Sequence, residues 1–346
     1  MAHTPAQLLG PLLKAVSRSF YLTLRVLPSK TRPQIGLAYL LARTTDTIAD
    51  TELVPLDERL RALRALRDRI SGRSSVRLEF TLLARNQASP AERILLEQCE
   101  ASLAVLQSLA PADQHLVVDV LETITSGQEL DLRRFAGATR DLITALQTDE
   151  ELDDYTYRVA GCVGEFWTRI CRAHLFPRAP LDNAFLLANG VRFGKGLQLV
   201  NILRDLPVDL SHGRCYLPEQ KLSAVGLEPT DLLQPASEPR LRPLYDAYLD
   251  RAEAHLLAGW AYTLALPRSC VRVRLACAWP ILIGLETSNL LRLGKVLDPH
   301  HRIKLSRPRV RRLMLRSVLL YPWPAAWEKL VPPVPPKAVA SASHLP

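Results

Sequence analysis

The chain has 346 residues, 48% of them hydrophobic and only 15 glycine, so a sizeable buried core is available in one large domain or two ordinary ones. Its net charge of +9 suits nucleic acid, an anionic membrane or a polyanionic small substrate, and composition alone does not choose among the three. Six cysteines (Cys99, Cys162, Cys171, Cys215, Cys270, Cys277) show no CxxC pair and no zinc-like spacing, which excludes a zinc framework and reads as reduced core thiols of a cytosolic protein.

Leucine and alanine recur with helical period from about residue 5 to 327, while alternating β-branched runs are scarce; the expectation is an all-α fold. "MAHTPAQLLGPLLKAV" has a short apolar stretch but no charged leader, and is not expected to act as a signal peptide. "PSKTRPQ" (28–34) reads as a turn, followed by a helix from about Pro33 to Asp50. "TELVPLDERLRALRALRDRIS" opens as a loop and continues as an amphipathic helix. Ser89 is placed to cap a helix with Pro90 at its first position. Further helices are expected through "PADQHLVVDVLETITSGQELDL", "DDYTYRVAGCVGEFWTRICRAHLF" and "DNAFLLANGVRFGKGLQLVNILRDL". A loop, "PVDLSHGRCYLPEQ", is expected next, because Pro207 removes a backbone donor and should bend the helix there. The remainder gives two or three helices, and the Pro/Ala/Ser-rich tail 331–346 reads as disordered. No internal linker or fixed repeat divides the chain, so residues 1–330 read as one domain. No stretch reaches the ~18 uncharged apolar residues that a bilayer span needs.

Within "TTDTIADT" (44–51), Asp46 and Asp50 stand four residues apart on one helical face, where like charges repel. Alone, such a pair can be a solvated helix end. Here it follows the apolar run "IGLAYLLA", and a second instance, Asp205 and Asp209, follows "GLQLV". Asn201, Asp205 and Asp209 form a ladder if that helix persists, with Gln198 a turn earlier; Pro207 would set Asp209 off the ideal position. Two acidic ladders on apolar helices would face each other across a cavity. Hard oxygen ligands without histidine or cysteine suit Mg²⁺, which bridges carboxylates to substrate phosphates. Arg43 precedes Asp46 by three residues, Arg204 adjoins Asp205, and Arg214 lies beyond the second ladder. "SRSFY" adds Ser17, Arg18 and Ser19, donors suited to phosphate oxygens. Each arginine alone is an ordinary surface residue; clustered beside both ladders, they read as diphosphate clamps.

These stretches resemble the squalene and phytoene synthase family. "SRSFYLTLRVLP" resembles its N-terminal segment, "YLLARTTDTIAD" its first aspartate-rich motif, and "YTYRVAGCVG" (155–164) its tyrosine-valine-alanine-glycine signature. "GKGLQLVNILRDLPVDLSHGRCYLP" (194–218) agrees with the second signature at Gly194, Gln198, Asn201, Arg204, Asp205, Asp209, Arg214, Tyr216 and Pro218, and "GQELDL" (127–132) resembles a turn of the family's cavity wall. The likeness runs from about residue 15 to 310. It implies an isoprenoid-synthase helical bundle around an apolar cavity, Mg²⁺ held by Asp46, Asp50, Asn201, Asp205 and Asp209, and two farnesyl diphosphates as substrates. Ser17, Arg18, Ser19, Phe20, Tyr39, Arg43, Gln198, Asn201, Arg204 and Arg214 would contact them. Tyr155 would stabilise the allylic cation or shuttle a proton; its bland alternative is a buried tyrosine bonded to a carbonyl. Phe20 and Phe166 offer ring faces to the cation or are plain core. One departure is Ala49, where some relatives carry an acid.

The reaction implied is head-to-head condensation to presqualene diphosphate, followed by NADPH reduction to squalene. "RIKLSR" (302–307) resembles the segment that holds the NADPH phosphates: Lys304 matches, Ser306 replaces an arginine, and Arg307 stands nearby. Arg18, Arg43 and Arg204 would complete the NADPH contacts. The alternatives are release of presqualene diphosphate, formation of dehydrosqualene or phytoene without reductant, and quenching by water to a hydroxysqualene. From another class comes a non-catalytic prenyl-lipid or RNA binder; no RRM-like or KH-like motif supports nucleic acid. The basic-aromatic segment 302–327, with Tyr321, Trp323 and Trp327, reads either as a membrane-surface contact or as a packed C-terminal helix. The expected location is the cytoplasm, peripheral to the inner membrane face if that contact forms. Oligomeric state is open.

Overall fold

The computed structural model describes residues 3–17 and 20–331. As expected, helices dominate the described residues, and the strands named among them are the two-residue pair Thr144–Ala145 and Arg214–Cys215, joined in parallel. The chain forms two compact units, one from Met1–Ala136 with Phe166–Ala179, the other from Gly137–Glu165 with the chain from Pro180 onward.

In the first unit the central element is the helix Arg32–Asp50, which packs against Leu56–Ile70 and Pro111–Arg134. Ile35, Leu37, Leu40, Leu41 and Ile48 are buried along it, at helical spacing. Its C-terminal half is rich in threonine, a poor helix former. The threonines are accommodated because Thr44, Thr47 and Thr51 return their hydroxyls to the carbonyls of Leu40, Arg43 and Thr47, at 2.9, 2.8 and 2.6 Å. Their methyl groups then face the core without an unpaired hydroxyl. Ala49 is only 9% exposed, so an acid there would point into packed side chains. Ser89 caps the helix Pro90–Glu97 as its sequence predicts, accepting from the Glu92 amide.

In the second unit the helix Asp149–Thr156 begins at Thr148, whose side chain accepts from the Glu151 amide, with three acids in the first turn. It runs into a π-helical turn, Tyr157–Gly161. The 29-residue helix Asn183–Ser211 starts at Asp182, which accepts from the Phe185 amide at 3.0 Å, and packs along Glu238–Ala265. The expected loop at Pro207 is not there: the helix runs through Pro207 to Ser211, so Asn201, Asp205 and Asp209 share one continuous helix. It stops at Gly213, whose φ of +78° supplies the left-handed ending that a side chain would resist. The next residues, Arg214–Cys215, then pair with Thr144–Ala145 and fix where Arg214 leaves the helix end.

The glycines of the two signature stretches form a close crossing. A Cβ on Gly164 would stand 1.8 Å from the Gly190 carbonyl oxygen, and one on Gly194 would stand 2.1 Å from that of Ala160. Backbone lies directly on backbone at both points, so these positions are set by packing. All six cysteines are free thiols, and all but Cys270 are buried; burial pushes the Cys162 and Cys215 thiols up to about 12, far from nucleophilic use.

Candidate functional site

The first acid pair sits on the last turns of Arg32–Asp50. Gln128, from the helix Pro111–Arg134, donates its side-chain amide to Asp46 Oδ1. Arg43 lies 3.8 Å from Asp46 and is itself held by Glu92 at 2.5 Å. Partial removal of the carboxyl from water and the charge of Asp50 one turn on push the Asp46 pKa up to about 6, against the opposing pull of Arg43 and Gln128. With 46% of its side-chain area exposed, solvent softens this rise. The charge of Asp50 beside Asp46 is of the kind a divalent cation between the two carboxylates would relieve. No group of three or more acidic, histidine or cysteine side chains is preassembled as a cage among the described residues. The oxygen donors of the first pair suit Mg²⁺, which takes one or two carboxylates and fills the rest of its shell with water and phosphate oxygens.

Phe20 stacks on Tyr39, ring centroids 5.0 Å apart. Ser17 is 2% exposed and gives its hydroxyl to the Leu13 carbonyl at 2.5 Å, leaving its oxygen lone pairs as acceptors rather than a donor for phosphate. Arg18 and Ser19 lie outside the described residues. Phe166 is buried core.

In the second unit Asp205 is clasped by two guanidiniums. Arg204 forms a two-pronged bond to it at 3.0 and 2.5 Å, and Arg302 reaches it at 2.9 Å. Despite partial burial, these partners hold the Asp205 carboxyl below the usual carboxylate range. Asn201 is exposed one turn before it, and Gln198 and Asp209 are half-buried on the same helix. Tyr155 stacks on Tyr216, centroids 4.7 Å apart at 26°. Lys304 and Arg307 are exposed, and Ser306 caps the helix Arg307–Leu320 by accepting from the Arg309 amide at 3.4 Å.

Three partners escaped the sequence reading as individual residues: Gln128, Glu92 and Arg302. Gln128 lies in the "GQELDL" stretch, but its pairing with Asp46 crosses 82 residues of sequence, and nothing local announces it.

Comparison with known proteins identifies the family and the fold. Residues 13–309 match the Squalene/phytoene synthase family. A presqualene diphosphate synthase of Rhodopseudomonas palustris is 30% identical over 258 residues, 75% of this chain and 78% of that protein. A bifunctional lycopene cyclase/phytoene synthase of Gibberella fujikuroi is 30% identical over 249 residues, 70% of this chain; the chain spans only 40% of that relative's length. Among solved structures, a complex of TcSQS with the ligand E5700 superposes with a TM-score of 0.73 at 21% identity, covering 94% of this chain and 95% of that one. The family matched over residues 13–309 is one of prenyltransferases, and the solved neighbours share its helical fold. The chain belongs to the squalene/phytoene synthase family, which joins isoprenyl diphosphates head to head and generally uses Mg²⁺ to bind the diphosphate.

Proposed function

We propose that this chain condenses two farnesyl diphosphates to presqualene diphosphate and carries that intermediate on to squalene with hydride from NADPH. The observation that carries the first half is the Asp46–Asp50 pair, with Arg43 beside it and Gln128 fixing the Asp46 carboxyl. Bound Mg²⁺ would draw charge off the departing diphosphate and ease ionisation. Asp46 and Asp50, and on the other helix Asn201, Asp205 and Asp209, supply the oxygen ligands. Arg43, Arg204, Arg214 and Arg302 are the phosphate clamps. Tyr155, seated against Tyr216, offers a ring face to an allylic cation and a phenol for proton transfer.

Support for the reductive half is narrower. Lys304 and Arg307 are exposed cations suited to NADPH phosphates, with Arg18, Arg43 and Arg204 as further contacts. Ser306, where the family segment has an arginine, is occupied as a helix cap. That observation favours a second reading, in which the chain releases presqualene diphosphate.

The deciding experiment is incubation with farnesyl diphosphate and Mg²⁺, with and without NADPH, followed by mass analysis of the lipids. Squalene formed only with NADPH supports the full reaction. Presqualene diphosphate in both arms selects the second reading, and dehydrosqualene or a hydroxylated product in both arms overturns the reductive half. No helix among the described residues is long and apolar enough to cross a membrane. For its hydrophobic product we propose a peripheral contact with an anionic membrane through 302–327.

A further inference from the structure

Pro207 lies between Asp205 and Asp209, inside a helix that ought to break there. Proline has no amide to give the carbonyl four residues back, and its ring pushes that carbonyl aside. The carbonyl in question belongs to Leu203, a residue 1% exposed, so water cannot take the vacant place. Tyr245 takes it. From the neighbouring helix Glu238–Ala265, its phenol hydroxyl donates to the Leu203 carbonyl oxygen at 2.8 Å, and the tyrosine itself is 0% exposed. The Tyr245 ring is fixed in turn by Arg242, whose guanidinium lies 5.6 Å from the ring centroid. Arg242 is anchored to Glu238 at 2.5 Å and to the Gly294 carbonyl at 2.6 Å.

We propose that Tyr245 is a positioning residue for the second acidic ladder: its hydroxyl replaces the hydrogen bond that Pro207 cannot make, keeping the helix regular so that Asp209 stays one turn beyond Asp205. This rests on reading Asp205 and Asp209 as ligands for magnesium and diphosphate. A tyrosine that merely fills the core would have no reason to depend on what stands at position 207. That dependence is the testable content.

The experiment compares the wild type with Tyr245→Phe, Pro207→Ala and the double variant, each as the full chain. Two quantities are measured: hydrogen exchange of the peptide covering 203–211 in metal-free protein, and the Mg²⁺ concentration for half-maximal turnover of farnesyl diphosphate. Tyr245→Phe keeps the ring and removes one buried bond, so faster exchange and an increase on the order of tenfold in the Mg²⁺ requirement are expected. Adding Pro207→Ala restores an amide to the Leu203 carbonyl and should return both quantities to within about twofold of wild type. The proposal is overturned if Tyr245→Phe changes neither quantity, or if the double variant is as impaired as Tyr245→Phe alone. A wild-type protein that turns over no prenyl diphosphate would instead refute the assigned reaction, while the exchange data still decide whether Tyr245 stands in for the missing amide.

Discussion

The Asp46 carboxyl accepts from Gln128 and lies one turn from Asp50, in surroundings that favour its protonated form. Its pKa in the folded protein, pushed up to about 6, stands well above that of an ordinary aspartate. The folded state therefore holds this proton more tightly than the unfolded chain does. The resulting stability is present below about pH 4 and is lost as pH rises through 6. Two outcomes follow for Asp46→Asn, which keeps an acceptor for Gln128 but cannot ionise. In metal-free buffer above pH 6 the variant should melt no lower than wild type, and above it if the raised pKa has this origin, with the difference closing toward pH 4. Thermal melts across that range check this. With Mg²⁺ and farnesyl diphosphate, the same variant should lose at least about a hundredfold in turnover, because the site loses the charge it was strained to hold. For the wild type, the Mg²⁺ requirement should rise as pH falls below 6, since protons then compete for Asp46. The acid pair stood out in the sequence through its spacing together with the apolar run before it and the second pair at Asp205 and Asp209. Gln128 as its partner was not, because a contact between distant helices leaves no local pattern.

Among the helices, the signature glycines show how a motif read for chemistry can serve packing. Gly164 against Gly190 and Gly194 against Ala160 let two backbones touch, the second contact five residues beyond Tyr155 and four before Gln198. What "VAGCVG" and "GKG" do in this structure is thus to fix the distance between the helices that carry those side chains. Gly194→Ala places a Cβ 2.1 Å from a backbone oxygen that no rotamer change can move. The expected destabilisation is roughly 3 kcal/mol in chemical denaturation. Gly10→Ala, whose Cβ would meet nothing within 4 Å, serves as the control and should change little. Equal stability of the two variants would show that the helices separate freely. Local signals at helix starts were readable: Ser89 caps, and Pro90 follows it. The end of the second acidic helix was not, because the sequence shows the proline at 207 and hides the tyrosine 38 positions later that compensates for it. The π-helical turn Tyr157–Gly161 likewise left no recognisable trace in the periodicity.

For the molecule as a whole, the net charge of +9 left nucleic acid, membrane and polyanionic substrate equally open. The proposed phosphate clamps account for arginines beside the acid pairs, but not for those at the C-terminal end. There the helix Arg307–Leu320 is firmly tied on its inner side: Trp279 donates to the Ser317 hydroxyl at 3.0 Å, and the buried Trp327 stacks on Trp260 and donates to the Ser317 carbonyl at 2.9 Å. Tyr321 also turns inward, giving its hydroxyl to the Arg268 carbonyl at 2.6 Å. Of the three aromatics that suggested an interfacial belt, Trp323 is the exposed one, at 62%. The outer face nevertheless combines exposed Arg311, Arg312 and Arg316 with Leu315, Val318 and Leu319, apolar side chains exposed by 45–59%. Solvated arginines alone would explain the charge but not three large apolar residues beside them. An anionic bilayer satisfies both, taking the guanidiniums at its headgroups and the apolar chains just below. The protein should therefore float with vesicles containing about a third phosphatidylglycerol and remain behind with pure phosphatidylcholine. Leu315→Glu combined with Leu319→Glu should abolish flotation while leaving turnover of detergent-dispersed substrate intact, because neither side chain touches the acid pairs. If wild type stays in solution with anionic vesicles at low salt, or if the double variant floats as well as wild type, this face has another use.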